Sequence, residues 1–154
     1  MINRDLIRRK IVQLTYAYYQ NGNRNMDNAE KELFFSLSKA YDLYNYQLQL
    51  IVEITKEARK RYDLEVTRVQ REGGDAPSQK FAFNRFAVQL EENKMLGEWI
   101  EAKNSSWDDD IEVVRRVYTA VVESDIYQEY MNAEEDSYDA DREVWRKLYK
   151  NIVM

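Results

Sequence analysis

The feature of this sequence that most limits its fold is the absence of glycine and proline over residues 23–72. The whole chain contains only 4 Gly and 1 Pro among its 154 residues, whereas average usage gives roughly 11 and 8. A multistrand sheet needs a turn after almost every strand, and glycine and proline are the usual turn residues. The composition therefore predicts an all-α protein of one ordinary domain's length.

Two segments at the amino-terminal end have the three- or four-residue apolar spacing of amphipathic helices. The first helix is predicted over Asn3–Gln20 and ends at the turn Asn21-Gly22-Asn23. The second helix opens at Asp27, a good N-cap, and Glu30 three residues later completes a capping-box pattern. Apolar residues then recur without a break as far as Gly73-Gly74, which predicts one very long helix or two nearly collinear ones.

An internal repeat follows, because residues 106–118 resemble residues 137–149 at an offset of 31. Each unit is predicted to contain a helix, a break of the kind seen at Ser124-Asp125, a short helix and a loop. Asp108 and Asp139 are the predicted N-caps of the longer helices, each preceded by an aromatic residue that serves as a hydrophobic staple. Helix pairs of this kind stack on their neighbours, so the fold class is a helical bundle with a long second helix, followed by stacked helix-pair repeats.

The obvious linker is the segment 73–78, with the sequence GGDAPS. It divides the chain into a predicted helical subdomain over residues 1–72 and a helical repeat region over residues 79–154. The second repeat copy stops at Met154 in the middle of a unit. We therefore expect the natural protein to be longer and this chain to be its amino-terminal piece, truncated at the end of the repeat region. The alternative is a natural end on a frayed helix.

Charge is distributed unevenly along the chain. Residues 1–71 carry 13 Lys and Arg against 9 Asp and Glu, a balance of +4, whereas residues 107–154 carry 6 against 13, a balance of −7. The net charge of −5 argues against nonspecific coating of DNA, but the basic end allows a local anion-binding surface. Solvated helix faces that differ in composition are the alternative explanation.

The composition leaves few catalytic groups. The chain has no Cys and no His, which excludes disulfides, thiolate metal sites, Ser-His-Asp triads and His-containing di-iron sites. The acidic run Asp108-Asp109-Asp110 fits helix capping better than a metal site, since hard cations need six or more oxygens around a loop. No phosphate-binding glycine motif is present. We therefore predict a protein that is not an enzyme and needs no cofactor.

The sequence also carries no sign of targeting to a membrane. Its first ten residues, MINRDLIRRK, are too charged for a signal peptide, and no apolar run approaches 18 residues. We expect a soluble, cytoplasmic protein with no membrane partner.

The first predicted helix carries the clearest functional signal. Arg4 and Arg8 are four residues apart, so their side chains are neighbours on one helix face, and Arg9 and Lys10 widen this basic patch. Tyr16 lies next to the arginine face, where it could stack on a base. Amides at a helix N-terminus also favour phosphate. A solvated or capping face explains the same pattern equally well.

These residues resemble the opening helix of the NusB family of bacterial transcription antitermination factors. In that family an arginine-rich start continues into a Val-Gln…Tyr-aromatic pattern, which here corresponds to Arg4, Arg8 and Arg9 followed by residues 12–18, VQLTYAY. Several later segments resemble the amino-terminal region of the long form of the family. They are residues 29–34, 41–44, 50–53, 84–86, 124–131 and 134–138.

The resemblance implies an all-helical protein that binds the boxA element of RNA together with NusE, a small-subunit ribosomal protein. The two act within a complex that modifies RNA polymerase during ribosomal-RNA transcription. Arg4 and Arg8 match the arginine positions of the family, and Gln13 and Tyr16 match its Val-Gln…Tyr segment. Arginines would meet phosphates or guanine edges, and Tyr16 or Tyr19 would stack on a splayed base. The predicted RNA-binding residues are Arg4, Arg8, Arg9, Lys10, Gln13 and Tyr16.

The sequence departs from the family in two ways. Asp5 stands inside the arginine run, where another base is common, and the carboxy-terminal half of the family with its Phe-x-Asn-Gly-x-Leu-Asp pattern is absent. That half supplies much of the partner surface. The 31-residue repeat belongs to the long form only, and the resemblance implies no role for it.

Two alternatives to RNA binding stay open. The chain is then either a helical protein-interaction scaffold, whose acidic region 107–154 grips a basic partner such as a ribosomal protein, or a structural domain that positions the missing half. If RNA does bind, Asn84, Arg85 and the basic group 59–61 extend its path where the fold brings them close to the first helix.

Overall fold

All regular structure in the computed structural model, which describes residues 3–22 and 25–154, is helical. The described residues form seven α-helices and a terminal π-helical turn, with no strand, which confirms the predicted all-α bundle with a long second helix. The helices are α1 (Arg4–Gln20), α2 (Met26–Glu72), α3 (Arg85–Glu91), α4 (Lys94–Lys103), α5 (Ile111–Glu123), α6 (Asp125–Asn132) and α7 (Tyr138–Leu148), and the turn is Tyr149–Val153.

The two amino-terminal helices are capped by asparagine side chains. Oδ1 of Asn3 accepts a hydrogen bond from the Leu6 amide at 2.9 Å and so starts α1. The prediction that Asp27 caps α2 is wrong, because Oδ1 of Asn25 accepts from the Asn28 amide at 3.2 Å and the helix begins a residue before Asp27. Asp27 instead lies in the first turn, where a negative charge favours the helix dipole.

The predicted turn after α1 and the predicted linker after α2 both contain glycines that need a left-handed backbone. Gly22 has a φ of 63°, and Gly73 has a φ of 81° directly after the last residue of α2. A side chain is costly at such angles, so these positions end the helices. Residues 73–79 have no regular structure. Asn23, the last residue of the predicted turn, lies outside the described residues.

The chain divides into two compact units, one within residues 1–47 and one over residues 48–154, and α2 contributes to both. In the first unit, Asn45 is the sole buried residue among those described. The second unit contains an apolar core. Its buried apolar residues are Leu50, Ile51, Val52, Ile54, Ala58, Phe81, Ala82, Ala87, Leu96, Trp107, Val114, Val121, Tyr130, Val144, Trp145 and Leu148.

The predicted unit of a helix, a break, a short helix and a loop is represented by α5, α6 and the residues before α7, and the region before α5 contains a second short helix, α4. The helix α6 begins 31 residues after α4. Ser124 ends α5 and caps α6, which confirms the predicted break at Ser124-Asp125. Within the second unit α6 packs against α5 and α7, and α7 also packs against α3. The division of the chain into regions 1–72 and 79–154 stays a prediction.

The predicted N-caps of the longer repeat helices are wrong, since neither Asp108 nor Asp139 caps. The helix α7 is capped by Ser137, whose Oγ accepts a hydrogen bond from the amide three residues later at 3.2 Å. The matching Ser106 accepts from the Asp108 amide at 3.0 Å, only two residues later, and closes a tight turn. The helix α5 therefore begins after Asp110, which occupies the N-cap position but does not cap the helix with its side chain. In both copies a serine competes with the aspartate for the backbone amides.

A fully buried asparagine, Asn84, joins three helices of the second unit. Its Oδ1 accepts hydrogen bonds from the Ala87 amide at 2.8 Å, which caps α3, and from the Trp145 indole at 3.0 Å, which lies on α7. Its Nδ2 donates to the Phe81 carbonyl at 2.8 Å and to Oγ1 of Thr55 on α2 at 3.3 Å. Because the amide group makes all four of these bonds, its burial carries little penalty.

A buried carboxylate, Asp141 on α7, forms a second polar centre beside Asn84. Its Oδ2 accepts hydrogen bonds from the Arg85 amide at 2.9 Å and from Nη1 of Arg85 at 3.2 Å. Its Oδ1 accepts from the Tyr130 hydroxyl at 2.6 Å. Burial, and then the bond to Asp141, raise the pKa of Tyr130 far above its ordinary value, so this phenol stays a hydrogen-bond donor. The carboxylate thereby ties α7 to α3 and α6.

Candidate nucleic-acid interface

The helix α1 has a half-buried side and an exposed side. Its half-buried side chains follow the helical repeat, as the sequence predicts, and none of its residues is fully buried. The remaining circumference faces solvent and carries most of the charge. The half-buried residues are Leu6, Ile7, Lys10, Leu14, Ala17 and Tyr18.

Five of the six residues predicted to bind RNA lie on the exposed side of α1. At 100° per residue, Arg4 and Arg8 are about 40° apart around the axis, and Arg9 and Tyr16 are about 20° apart. Gln13 adjoins the second pair, about 40° from Arg9. All five are exposed, and Tyr16 has 67% of its surface open to solvent. We call this set, Arg4, Arg8, Arg9, Gln13 and Tyr16, the arginine–tyrosine face.

Lys10, the sixth predicted residue, lies on the other side of α1. It is about 160° from Arg8 around the axis and only about 40° from Leu14. Consistent with this position, Lys10 is half-buried. Lys10 is about 60° from Gln13, and its partial burial distinguishes it from the exposed arginine–tyrosine face.

The positive charge of the arginine–tyrosine face stays accessible to a ligand. Asp5 approaches Arg8 at 3.8 Å, and both side chains are 74% exposed. An ion pair that open contributes little and is easily exchanged for a phosphate. With four basic residues and one acid, α1 has a net charge of +3.

Three exposed apolar residues of α1, Ile11, Val12 and Tyr19, were not among the predicted site residues. Val12 is 68% exposed and lies between Arg8 and Tyr16 on the helix surface, about 40° from each. Tyr19, which the family resemblance offered as a second stacking residue, is 64% exposed, and its ring meets the Tyr18 ring edge-on at 5.3 Å. Plotting the sequence on a helical wheel would have placed Val12 among the arginines.

Except for the exposed Lys60, the other residues considered for an RNA path are engaged inside the second unit. Arg59 donates to the Glu91 carboxylate at 2.7 Å and to a backbone carbonyl, and Arg61 pairs with Glu57 at 3.1 Å. Asn84 is fully buried. Arg59 and Asn84 therefore join different parts of the second unit, whereas the Arg61–Glu57 pair lies within α2.

Arg85 is likewise occupied, by two carboxylates. It pairs with Asp136 at 2.8 Å as well as with Asp141. The hydrogen bond from Arg85 lowers the pKa of Asp136, and the same bond raises the pKa of Arg85. The guanidinium of Arg85, like those of Arg59 and Arg61, is therefore already paired with a carboxylate of the second unit.

A second surface feature is a groove between α6 and α7 with a volume of about 450 Å³. Its floor is apolar, with Ile126, Tyr130 and Val144, and its rim is acidic. Arg146 hydrogen-bonds Glu143 and lowers its pKa, which keeps that carboxylate ionised. The rim contains four acids and one base, namely Glu129, Glu135, Asp139, Glu143 and Lys147. We call it the acidic groove.

Comparison with known proteins adds no relative: no protein-family model, curated protein or solved structure matches this chain. In the described part of the chain, no helix is both long and apolar enough to cross a bilayer. Among the described residues, no group of three or more acidic side chains is arranged to hold a metal ion. Membership of the NusB family stays a prediction.

Proposed function

We propose that this chain is the amino-terminal part of a NusB-like transcription antitermination factor. It binds single-stranded RNA of the boxA type with the arginine–tyrosine face of α1. It does so together with the ribosomal protein NusE, and the complex modifies RNA polymerase on ribosomal-RNA operons. The observation that carries the proposal is the joint exposure of three arginines, a glutamine and a tyrosine on one side of a helix of charge +3.

The chemistry of that face suits a single strand better than a duplex. Arginine guanidinium groups form charge-assisted bonds with phosphates and with guanine edges. A tyrosine ring that is 67% exposed offers a stacking surface for an unstacked base, which a duplex does not provide. Gln13 adds an amide that can read the hydrogen-bonding edge of the same or the next base. Positive charge and stacking together are the usual combination in single-strand binding.

Arg8 and Lys10 form a matched pair for testing this proposal. The substitutions Arg8→Ala and Lys10→Ala each remove one positive charge from α1, but only Arg8 lies on the arginine–tyrosine face. We expect Arg8→Ala to weaken binding of boxA-type RNA about tenfold, roughly 1.4 kcal/mol. It should also reduce the slope of log K against log salt by about 1. Lys10→Ala should change affinity less than about twofold, since its charge is displaced from the strand.

The measurement is fluorescence anisotropy of a labelled RNA over a range of salt concentrations, with purified NusE present throughout. Equal losses for the two variants would show that only the overall charge of the helix matters. Absence of RNA binding by the wild-type chain would contradict the proposal outright.

The acidic groove favours one second candidate, a protein-interaction scaffold without direct RNA contact. An apolar floor with a rim of four acids and one base fits an amphipathic segment of a basic protein such as NusE. We expect Glu129→Lys with Asp139→Lys to abolish capture of NusE. The control, Asp109→Lys with Glu112→Lys, makes the same change in net charge outside the groove and should keep capture. Capture that survives in both double variants would exclude the groove as the binding site.

A further inference from the structure

The first unit contains most of the large apolar side chains that are exposed in the described chain. Of the fifteen large apolar side chains that are exposed in the described residues, ten lie between Ile11 and Tyr44. In the same unit just Asn45 is buried among the described residues. Two helices with this composition bury too little on their own, because helix stability in proteins comes mainly from packing of an apolar face.

Both helices of this unit carry a stripe with heptad spacing, which is apolar in α1 and apolar except for Glu30 in α2. In α1 the stripe consists of residues spaced four, three and four apart, and in the first half of α2 the same alternation runs over residues 26–44. Spacing of this kind is the pattern by which helices pack into four-helix bundles. The members are Ile7, Ile11, Leu14 and Tyr18 in α1, and Met26, Glu30, Leu33, Leu37, Ala40 and Tyr44 in α2.

The two stripes meet along an open, mostly apolar groove of about 420 Å³, which we call the hairpin groove. Its edges contain Ile11 at 46%, Tyr19 at 64% and Met26 at 67% exposure. Glu30 is its one charged lining residue, and the half-buried Lys10 lies on the same side of α1. The groove is lined by Ile11, Leu14, Thr15, Tyr18, Tyr19, Met26, Ala29, Glu30 and Leu33.

The area of this surface matches what a stable dimer needs. Six exposed side chains belong to the two stripes or directly follow a stripe residue in the sequence, and three of them line the groove. Since a whole aromatic side chain can bury about 150–250 Å², the six together offer roughly 700 Å². A standard interface buries about 800 Å² on each partner. Glu30 is the one charged residue that lines the groove, so two copies bring little like charge together there. The six residues are Ile11, Tyr19, Met26, Phe34, Tyr41 and Tyr44.

We infer that the hairpin groove binds the hairpin groove of a second copy of this chain. Two copies related by a two-fold axis then combine four striped helices into a four-helix bundle, the arrangement that heptad stripes favour. Leu14, in the groove, is about 160° around α1 from Tyr16. The groove therefore lies away from Tyr16, whereas its edge residues Ile11 and Tyr19 are about 20° from Arg4 and Arg8, respectively, around α1.

The test is the molar mass of the full chain by sedimentation equilibrium at increasing micromolar concentrations. The wild-type chain should approach twice its monomer mass of 18.5 kDa. Ile11→Glu with Met26→Glu places two carboxylates in the groove and should return the mass to 18.5 kDa with unchanged helical circular dichroism. Phe35→Glu is the control, because Phe35 is 64% exposed but lies about 180° from Met26 around α2. It should stay a dimer.

A wild-type mass of one chain at every concentration overturns the inference. So does dissociation of Phe35→Glu to the same extent as the groove variant, which would indicate unspecific apolar contact. A monomeric wild type whose RNA binding is lost in the groove variant assigns the groove to RNA instead.

A second measurement tests the pairing without a substitution in the groove. The chain has no Cys, so an Asp27→Cys variant can be labelled at that single position with a donor or an acceptor dye. Mixed labelled chains should show energy transfer, and its absence excludes the pairing.

Discussion

Replacing Asp141 by alanine should lower the free energy of unfolding of the second unit by about 3 kcal/mol. The side chain is fully buried and accepts three hydrogen bonds, two from Arg85 and one from Tyr130. Its removal leaves the Arg85 amide without its acceptor and opens a cavity between α3, α6 and α7. The charge of Arg85 keeps Asp136 as a partner at 2.8 Å, which limits the loss.

Two further variants separate the causes of this loss. Asp141→Asn keeps the shape and one acceptor oxygen, so it should cost only about 1–2 kcal/mol. Asp136→Ala removes the exposed carboxylate from the same arginine and should cost less than about 1 kcal/mol.

The measurement is urea unfolding followed by tryptophan fluorescence. Trp99, Trp107 and Trp145 all lie in the second unit, so the signal reports on that unit alone. Equal midpoints for Asp141→Ala and Asp136→Ala would show that the buried carboxylate does not organise the core.

Replacing Tyr16 by alanine should lower the affinity for single-stranded RNA by about 1–3 kcal/mol, roughly 5- to 150-fold. The expected cause is the loss of a stacking platform, since the ring is 67% exposed in the free chain and supports little of the fold. Stability should therefore stay within about 0.5 kcal/mol of the wild type. The salt dependence of binding should not change, because no charge is removed.

Tyr16→Phe is the matched control because it keeps the ring and removes only the hydroxyl. It should bind RNA within about twofold of the wild type if stacking dominates. Anisotropy titrations of the three chains with the same RNA measure the difference. An equal loss in the phenylalanine and alanine variants would assign the role to the hydroxyl, and no loss in either would remove Tyr16 from the interface.

The helical architecture could be predicted from the sequence because it depends on local features. The scarcity of glycine and proline and the three- or four-residue apolar spacing act within one turn of the chain, and both α1 and the long α2 follow from them. The predicted caps at Asp27, Asp108 and Asp139 failed for a different reason. Several neighbouring side chains can accept a hydrogen bond from the same backbone amide, and spacing alone does not determine which of them does.

The polar core could not be predicted, since it depends on contacts between distant parts of the chain. Asp141 and Arg85 are 56 positions apart, and Asn84 and Trp145 are 61 apart. Asn84 and Arg85 therefore looked equally available for RNA until the fold showed one buried and the other paired with two carboxylates. The exposure of Arg4, Arg8 and Tyr16, by contrast, follows from helix periodicity. The position of Lys10 outside that face follows from its partial burial, which periodicity alone does not give.

The most direct test of the central claim is to map where the RNA lies on the protein. A boxA-type RNA containing 4-thiouridine can be cross-linked by light to the full chain with NusE present, and the attached peptides can be identified by mass spectrometry. Cross-links should fall within α1 and include Tyr16. Cross-links confined to residues 48–154, with none in α1, would contradict the claim that the arginine–tyrosine face holds the strand.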